Sequence, residues 1–145
     1  MWRPESLRSV VTGRDWSALS TTGDTELVAR VLERYGVAGL GMLDGMFAVA
    51  WVAADGVLRL ARDAYGEVPL HYGHTIDGTV LYSSEIAPLL AAGAQPSSVQ
   101  WVPPGHVVEV GANGEVSCAA WFVEPSPSGA SMRELLERGV VGRLT

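Results

Sequence analysis

Two different hydrophobic periods run along this chain. Between residues 24 and 35, "DTELVARVLERY", apolar side chains recur at Leu27, Val28, Val31, Leu32 and Tyr35, which is the spacing of one helix face. Asp24 stands where the first free N–H groups need an acceptor, Glu26 favours the positive end, and Gly36 supplies a stop. A short turn, "VAGLGML", follows. From Asp44 onward the pattern predicts strands. "MFAVAWVAA" is apolar on both faces, as in a strand covered on both sides. Asp55-Gly56 marks a hairpin, and "VLRLAR" is the returning strand. Leu70-His71-Tyr72 and "GTVLYSS" read as two further strands joined by a turn at Asp77-Gly78. "SSEIAPLLAAG" reads as a short helix that Ser83 or Ser84 can cap and Gly93 can close. Pro103-Pro104-Gly105 forms a rigid turn into "HVVEVG", and Ala112-Asn113-Gly114 turns that strand into "EVSCAAWF".

The two ends follow different rules. Residues 4–11, "PESLRSVV", suit a short helix with proline in its first turn, and 12–23 read as loop. Residues 124–131, "EPSPSGAS", have linker composition, and "MRELLERGVVGRL" resumes helical spacing at Met132, Leu135, Leu136 and Val140. The expected division is therefore a domain over 1–123, a linker over 124–131, and the first helix of another unit over 132–145.

At 145 residues the chain suits one domain with a real core, and 48% apolar against 18% charged residues places it among globular proteins. A formal charge of −6 disfavours nucleic acid as a partner, because that surface needs clustered positive charge. One cysteine excludes a disulfide framework and a cysteine-based metal cluster, and fits a reducing, cytoplasmic setting. The apolar runs are too short to span a bilayer as a helix, and "MWRPESLRSV" lacks the apolar region of a signal peptide.

Candidate chemistry is sparse. "ARDAYGEVPLHYG" (61–73) puts Arg62 beside Asp63, then Gly66, Glu67 and Pro69, between apolar runs. A sharp turn at Gly66, a fixed return at Pro69, and charges that satisfy turn backbone groups or each other make this a structural element. Cys118, inside a predicted strand, reads as a buried inert thiol. His71 and His74 are three apart on an extended segment and so point to opposite faces, a poor metal pair. His106 follows the Pro-Pro-Gly turn and carries no assigned role. Trp51, Trp101 and Trp121 are expected in core or interface packing. No Walker-type glycine-rich loop is present.

The blocks "GDTELVARVLERYG", "LDGMFAVAWV", "LARDAYGEVPLHYG", "LYSSEIAPLL" and "VPPGHVVEV", with Trp121 after them, occur in that order. Together they resemble the amidotransferase half of the glutamine-hydrolysing asparagine synthetases and their β-lactam synthetase relatives. That resemblance implies an α+β fold: a partial four-layer αββα sandwich of the N-terminal-nucleophile type, with mainly antiparallel strands. It makes "ARDAYGEVPLHYG" a strand-turn-strand crossing within the sandwich. Members use an N-terminal cysteine as nucleophile, its own amine as base, an arginine for the substrate carboxylate and an Asn-Gly pair for the oxyanion. An aspartate in a "DTE" segment binds the amino group of glutamine. Of these only the aspartate maps here, onto Asp24, which can also be a helix cap worth about 1 kcal/mol. Residue 2 is Trp and not Cys. The expectation is a chain that starts inside the domain, has open strand edges where the earlier segment pairs, and shows no glutaminase activity alone. ATP and Mg belong, on this resemblance, to an ATP-dependent synthetase domain that this chain does not contain. The alternative function is a non-catalytic docking module for such a synthetase.

Overall fold

The computed structural model describes residues 24–124, 129 and 131–137. The helix expected at 4–11, the loop at 12–23, most of the linker and the segment beyond 137 lie outside the described residues.

Helix α1 spans Asp24–Tyr35 and runs into a 3-10 turn at Gly36–Met42. The strands are β1 (Ala48–Val52), β2 (Leu58–Arg62), β3 (His71–His74), β4 (Val80–Ser83), β5 (Gln100–Trp101), β6 (His106–Val110) and β7 (Val116–Ala120). Helix α2 covers Ile86–Ala91, a 3-10 turn Pro96–Ser98 follows it, and residues 132–137 form a third helix, α3. Among the described residues all strand pairs are antiparallel. They form a four-stranded sheet of order β1-β2-β6-β7 and a three-stranded sheet of order β4-β3-β5.

The layers follow from alternation. In β2, Leu60 and Ala61 are both fully buried yet point to opposite faces. Ala61 joins Leu27, Val31, Leu32, Phe47 and Val107 beneath α1. Leu60 joins Leu70, Tyr72, Val102, Val108 and Val110 between the sheets. With α2 packed against β3 and β4, the result is the expected α+β sandwich. The predicted stripe of α1 is its buried face, with Leu27, Val28, Val31 and Leu32 inside. Gly36 ends the helix with φ +58°.

β1 is covered on both faces, as expected: Val49 and Trp51 pack against the cluster beneath α1, and Ala48 and Ala50 against the cluster between the sheets. It is an edge strand among the described residues, and four of its five positions are only half-buried. Two expectations need correction. Neither Ser83 nor Ser84 caps α2. The cap position is Glu85, whose N–H donates to the Ser83 hydroxyl at 3.2 Å one step before the helix. Cys118 is exposed rather than buried, because all five residues of the outer strand β7 are exposed. Of the two placements expected for Trp101, core or interface, the core is not the one adopted: the ring is 59% exposed, with the Arg62 guanidinium 5.5 Å from its centroid. Gly93 does close α2, with its N–H on the Leu90 carbonyl and that of Ala94 on Leu89.

Candidate functional site

Between the first turns of α1 and strand β1 lies an open cleft of about 480 Å³. Its helix wall is Asp24, Thr25 and Val28, and its strand wall runs from Met46 to Trp51. Asp24 is the one charged side chain among the described residues lining it. A single exposed carboxylate beside an apolar wall suits an ammonium group whose carbon skeleton lies along that wall. Asp24 occupies the first described turn of α1, so the N–H groups there and the carboxylate share one end of the helix.

The position of the strand wall depends on Asp63. Its carboxylate is buried, with 2% exposure, and accepts four backbone hydrogen bonds. Phe47 N donates to Oδ2 at 3.3 Å and Val68 N to the same oxygen at 3.2 Å. Tyr65 N and Glu67 N donate to Oδ1 at 3.1 and 3.0 Å. Phe47 and Val68 both line the cleft, so one carboxylate ties together two of its walls. Burial pushes the Asp63 carboxyl up, but the backbone donors at Glu67, Val68, Tyr65 and Phe47 together outweigh it and hold the group below its ordinary value.

Arg62 does the matching work for carbonyls. Its Nε donates to Val68 O at 2.8 Å, Nη1 to Val102 O at 2.8 Å, and Nη2 to Gly66 O. Of the two arrangements open from the sequence, the pair therefore satisfies turn backbone groups. The stretch 61–73 is also the expected crossing: β2 belongs to one sheet, β3 to the other, and this turn connects them. The adjacency of Arg62 and Asp63 signals a demanding turn. Which backbone groups they hold, and that these shape the cleft, could not be read without the fold.

The remaining candidates lie elsewhere. Cys118 is on β7, at the far side of the four-stranded sheet from β1. Its sulfur is partly desolvated, which raises the thiol above its ordinary value. His74 is exposed at the end of β3, while His71 is half-buried with Nδ1 lacking a hydrogen-bond partner among the described residues. His106 Nδ1 is 2.7 Å from Pro104 O. Among the described residues no group of three His, Cys, Asp or Glu side chains could hold a metal ion. None of the histidines is a lining residue of the Asp24 cleft. Trp51 is, and its buried Nε1 has no acceptor among the described residues. Trp121 Nε1 donates to Arg62 O at 3.0 Å, with its ring stacked on Phe47 at 5.8 Å.

Comparison with known proteins adds sequence relatives to this geometry. Residues 2–103 match the family model described as glutamine amidotransferase domain. The chain is 34% identical over 131 residues to the asparagine synthetase [glutamine-hydrolyzing] of Zea mays, covering 86% of this chain and 22% of that protein. It is 30% identical over 151 residues to the enzyme of the same name from Triphysaria versicolor, covering 99% of this chain and 25% of that protein. Among solved structures, glutamine phosphoribosylpyrophosphate amidotransferase from B. subtilis superposes with a TM-score of 0.65 at 21% identity, over 83% of this chain and 26% of that one. At that identity the shared property is the fold. The chain thus spans about a quarter or less of the length of these relatives.

Proposed function

The chain belongs to the glutamine amidotransferase domain family, as found in asparagine-synthetase-like proteins, and from that premise we propose that it is the glutamine-handling part of an enzyme that passes ammonia to an ATP-dependent synthetase. In this reading Asp24 pairs with the α-ammonium of glutamine, and the apolar β1 wall carries the methylene stem. A cysteine thiolate attacks the side-chain amide carbon, the C–N bond breaks with a proton delivered to the departing ammonia, and water then releases glutamate from the thioester. The observation that carries the proposal is a lone carboxylate at the head of α1, in the segment matching the family, facing an apolar cleft.

The nucleophile is not supplied by the thiol present, since Cys118 lies on the opposite edge strand. The chain by itself is therefore proposed to be inactive. Residues 124–131 are proposed as the linker and 132–145 as the start of the synthetase part, which would carry ATP and Mg. A cytoplasmic setting accompanies this proposal. Among the described residues no helix is long and apolar enough to cross a membrane. The remote position of the one thiol also favours a second reading, a docking module that keeps the sandwich without the chemistry.

Two measurements test these readings, and the second separates them. Incubated with glutamine, the chain should release no glutamate above the blank. Turnover at roughly 1 s⁻¹ or faster overturns the inactivity. In calorimetry, glutamine should bind the parent chain, and Asp24→Ala should weaken binding by about tenfold or more. Absence of binding by both proteins leaves the docking module as the better account.

A further inference from the structure

A second cavity, of about 340 Å³, lies between the Leu43–Gly45 loop and the turn after β2 and shares only Phe47 with the lining of the Asp24 cleft. Its chemistry differs from that of the first. Tyr65, Trp121 and Phe122 present aromatic rings, and Asp44 and Glu67 present carboxylates. Tyr65 and Phe122 meet edge to face at 6.0 Å, and Trp121 and Phe122 at 5.8 Å. Asp44 and Glu67 are exposed, and neither makes an ion pair among the described residues. Tyr65 remains 70% exposed, although burying an aromatic ring is favourable.

The walls are fixed from behind. Asp63 Oδ1 holds the N–H groups of Tyr65 and Glu67, Trp121 Nε1 is bonded to Arg62 O, and the N–H groups of Trp121 and Phe122 both donate to Gly105 O. A rigid cavity with aromatic faces and two unpaired carboxylates attracts a cation twice, through the ring quadrupoles and through charge. A planar, weakly hydrated guanidinium answers that combination better than a compact hydrated ion.

We propose that this cavity is a docking pocket for an arginine side chain carried by the polypeptide of the synthetase part. The identity of the partner rests on the function proposed above; the cation selectivity does not. Two facts favour a protein-borne cation. Trp121 and Phe122, on the cavity wall, lead directly into the expected linker at 124. The relatives are several times as long as this chain, and on the function proposed above the synthetase part follows the linker, which places it beside the cavity. The complementary charge then fixes how the two parts sit together, as charged pairs at interfaces set register.

The test uses the chain as it is, isotope-labelled and titrated with N-acetyl-arginine amide while amide shifts are followed by NMR. Saturable shifts should concentrate at Asp44, Tyr65, Glu67 and Phe122. The neutral isostere N-acetyl-citrulline amide should leave them unmoved, and the Asp44→Asn/Glu67→Gln double variant should bind about tenfold more weakly. Both positions are exposed, and an unchanged amide spectrum elsewhere verifies that the variant is folded. Asp24→Ala should bind arginine amide like the parent, which keeps this result independent of the glutamine site. Equal shifts with the citrulline compound, or none with the arginine compound, overturn the proposal. Tighter binding of tetramethylammonium than of arginine amide also overturns it, since the pocket would then serve a free organic cation.

Discussion

Arg62 and Asp63 are neighbours in sequence that look like an ion pair, yet each spends its charge on backbone groups of the turn they begin. Asp63 takes four N–H donors, and Arg62 gives three N–H bonds to carbonyls. Gly66 sits between them at φ +67°, where an added Cβ would stand 2.7 Å from both Arg62 Nη2 and Pro104 Cγ. The turn is therefore tight because two charged side chains occupy its interior. Replacing Asp63 by Asn puts an NH₂ group among N–H donors and removes the charge, with an expected loss of about 3 kcal/mol. Equilibrium urea unfolding at pH 7 measures it. The effect should depend on pH. The folded-state pKa of Asp63 lies below the ordinary 3.8, so the carboxylate stabilises the fold above the unfolded-state value. That contribution is lost as pH falls through the folded-state value. The gap in urea midpoint between parent and D63N should then narrow below about pH 4. A gap that stays constant down to pH 2 would show that the charge is not what the turn uses.

Elements with a period of their own were legible before any fold was known. The stripe of α1 and the hairpin turns at Asp55-Gly56 and Asp77-Gly78 needed only local rules, because helix faces and turns are decided by residues within a few positions. The crossing between sheets at 61–73 was legible only through the family resemblance. Edge status was not legible, since it depends on partners far along the chain. β1 and β7 are both apolar runs, and nothing local says that each has a single neighbour. The same gap explains the error at Cys118. Its register partner Val108 is fully buried, but all five residues of β7 are exposed and the thiol is accessible. The Asp24 cleft was half legible: the residue was singled out, while its apolar wall and the role of Asp63 behind it required the tertiary arrangement. Cys118 should accordingly react with a thiol reagent in the folded protein, without denaturant. Partial desolvation raises its pKa, so the rate should climb with pH to a point above that of a free cysteine peptide. Protection until the chain unfolds would return Cys118 to the core.

At the scale of the whole molecule, the sandwich has a well-packed centre and thin flanks. Between the sheets and under α1, Val31, Leu40, Leu60, Val102 and Val108 are fully buried. β7, by contrast, pairs with β6 alone among the described residues and exposes all five of its side chains, Val116 by 47%. Such a strand offers a row of unpaired donors and acceptors with little side-chain charge to deter pairing. Helix α3 presents Met132, Leu135 and Leu136 to solvent, although Ser131 and Glu134 cap it reciprocally. An isolated chain with these surfaces should associate with itself, one β7 beside another, at concentrations of roughly tens of micromolar. Val116→Lys places a charge on that strand without touching either core cluster. Sedimentation velocity should show association in the parent and a shift toward monomer in V116K, with the thermal transition moved by no more than about 2 °C. Equal association in both proteins would clear β7 and direct attention to β1, the opposite edge of the four-stranded sheet among the described residues. In that case a lysine at Val52, the exposed end of β1, should disperse the complex where V116K does not.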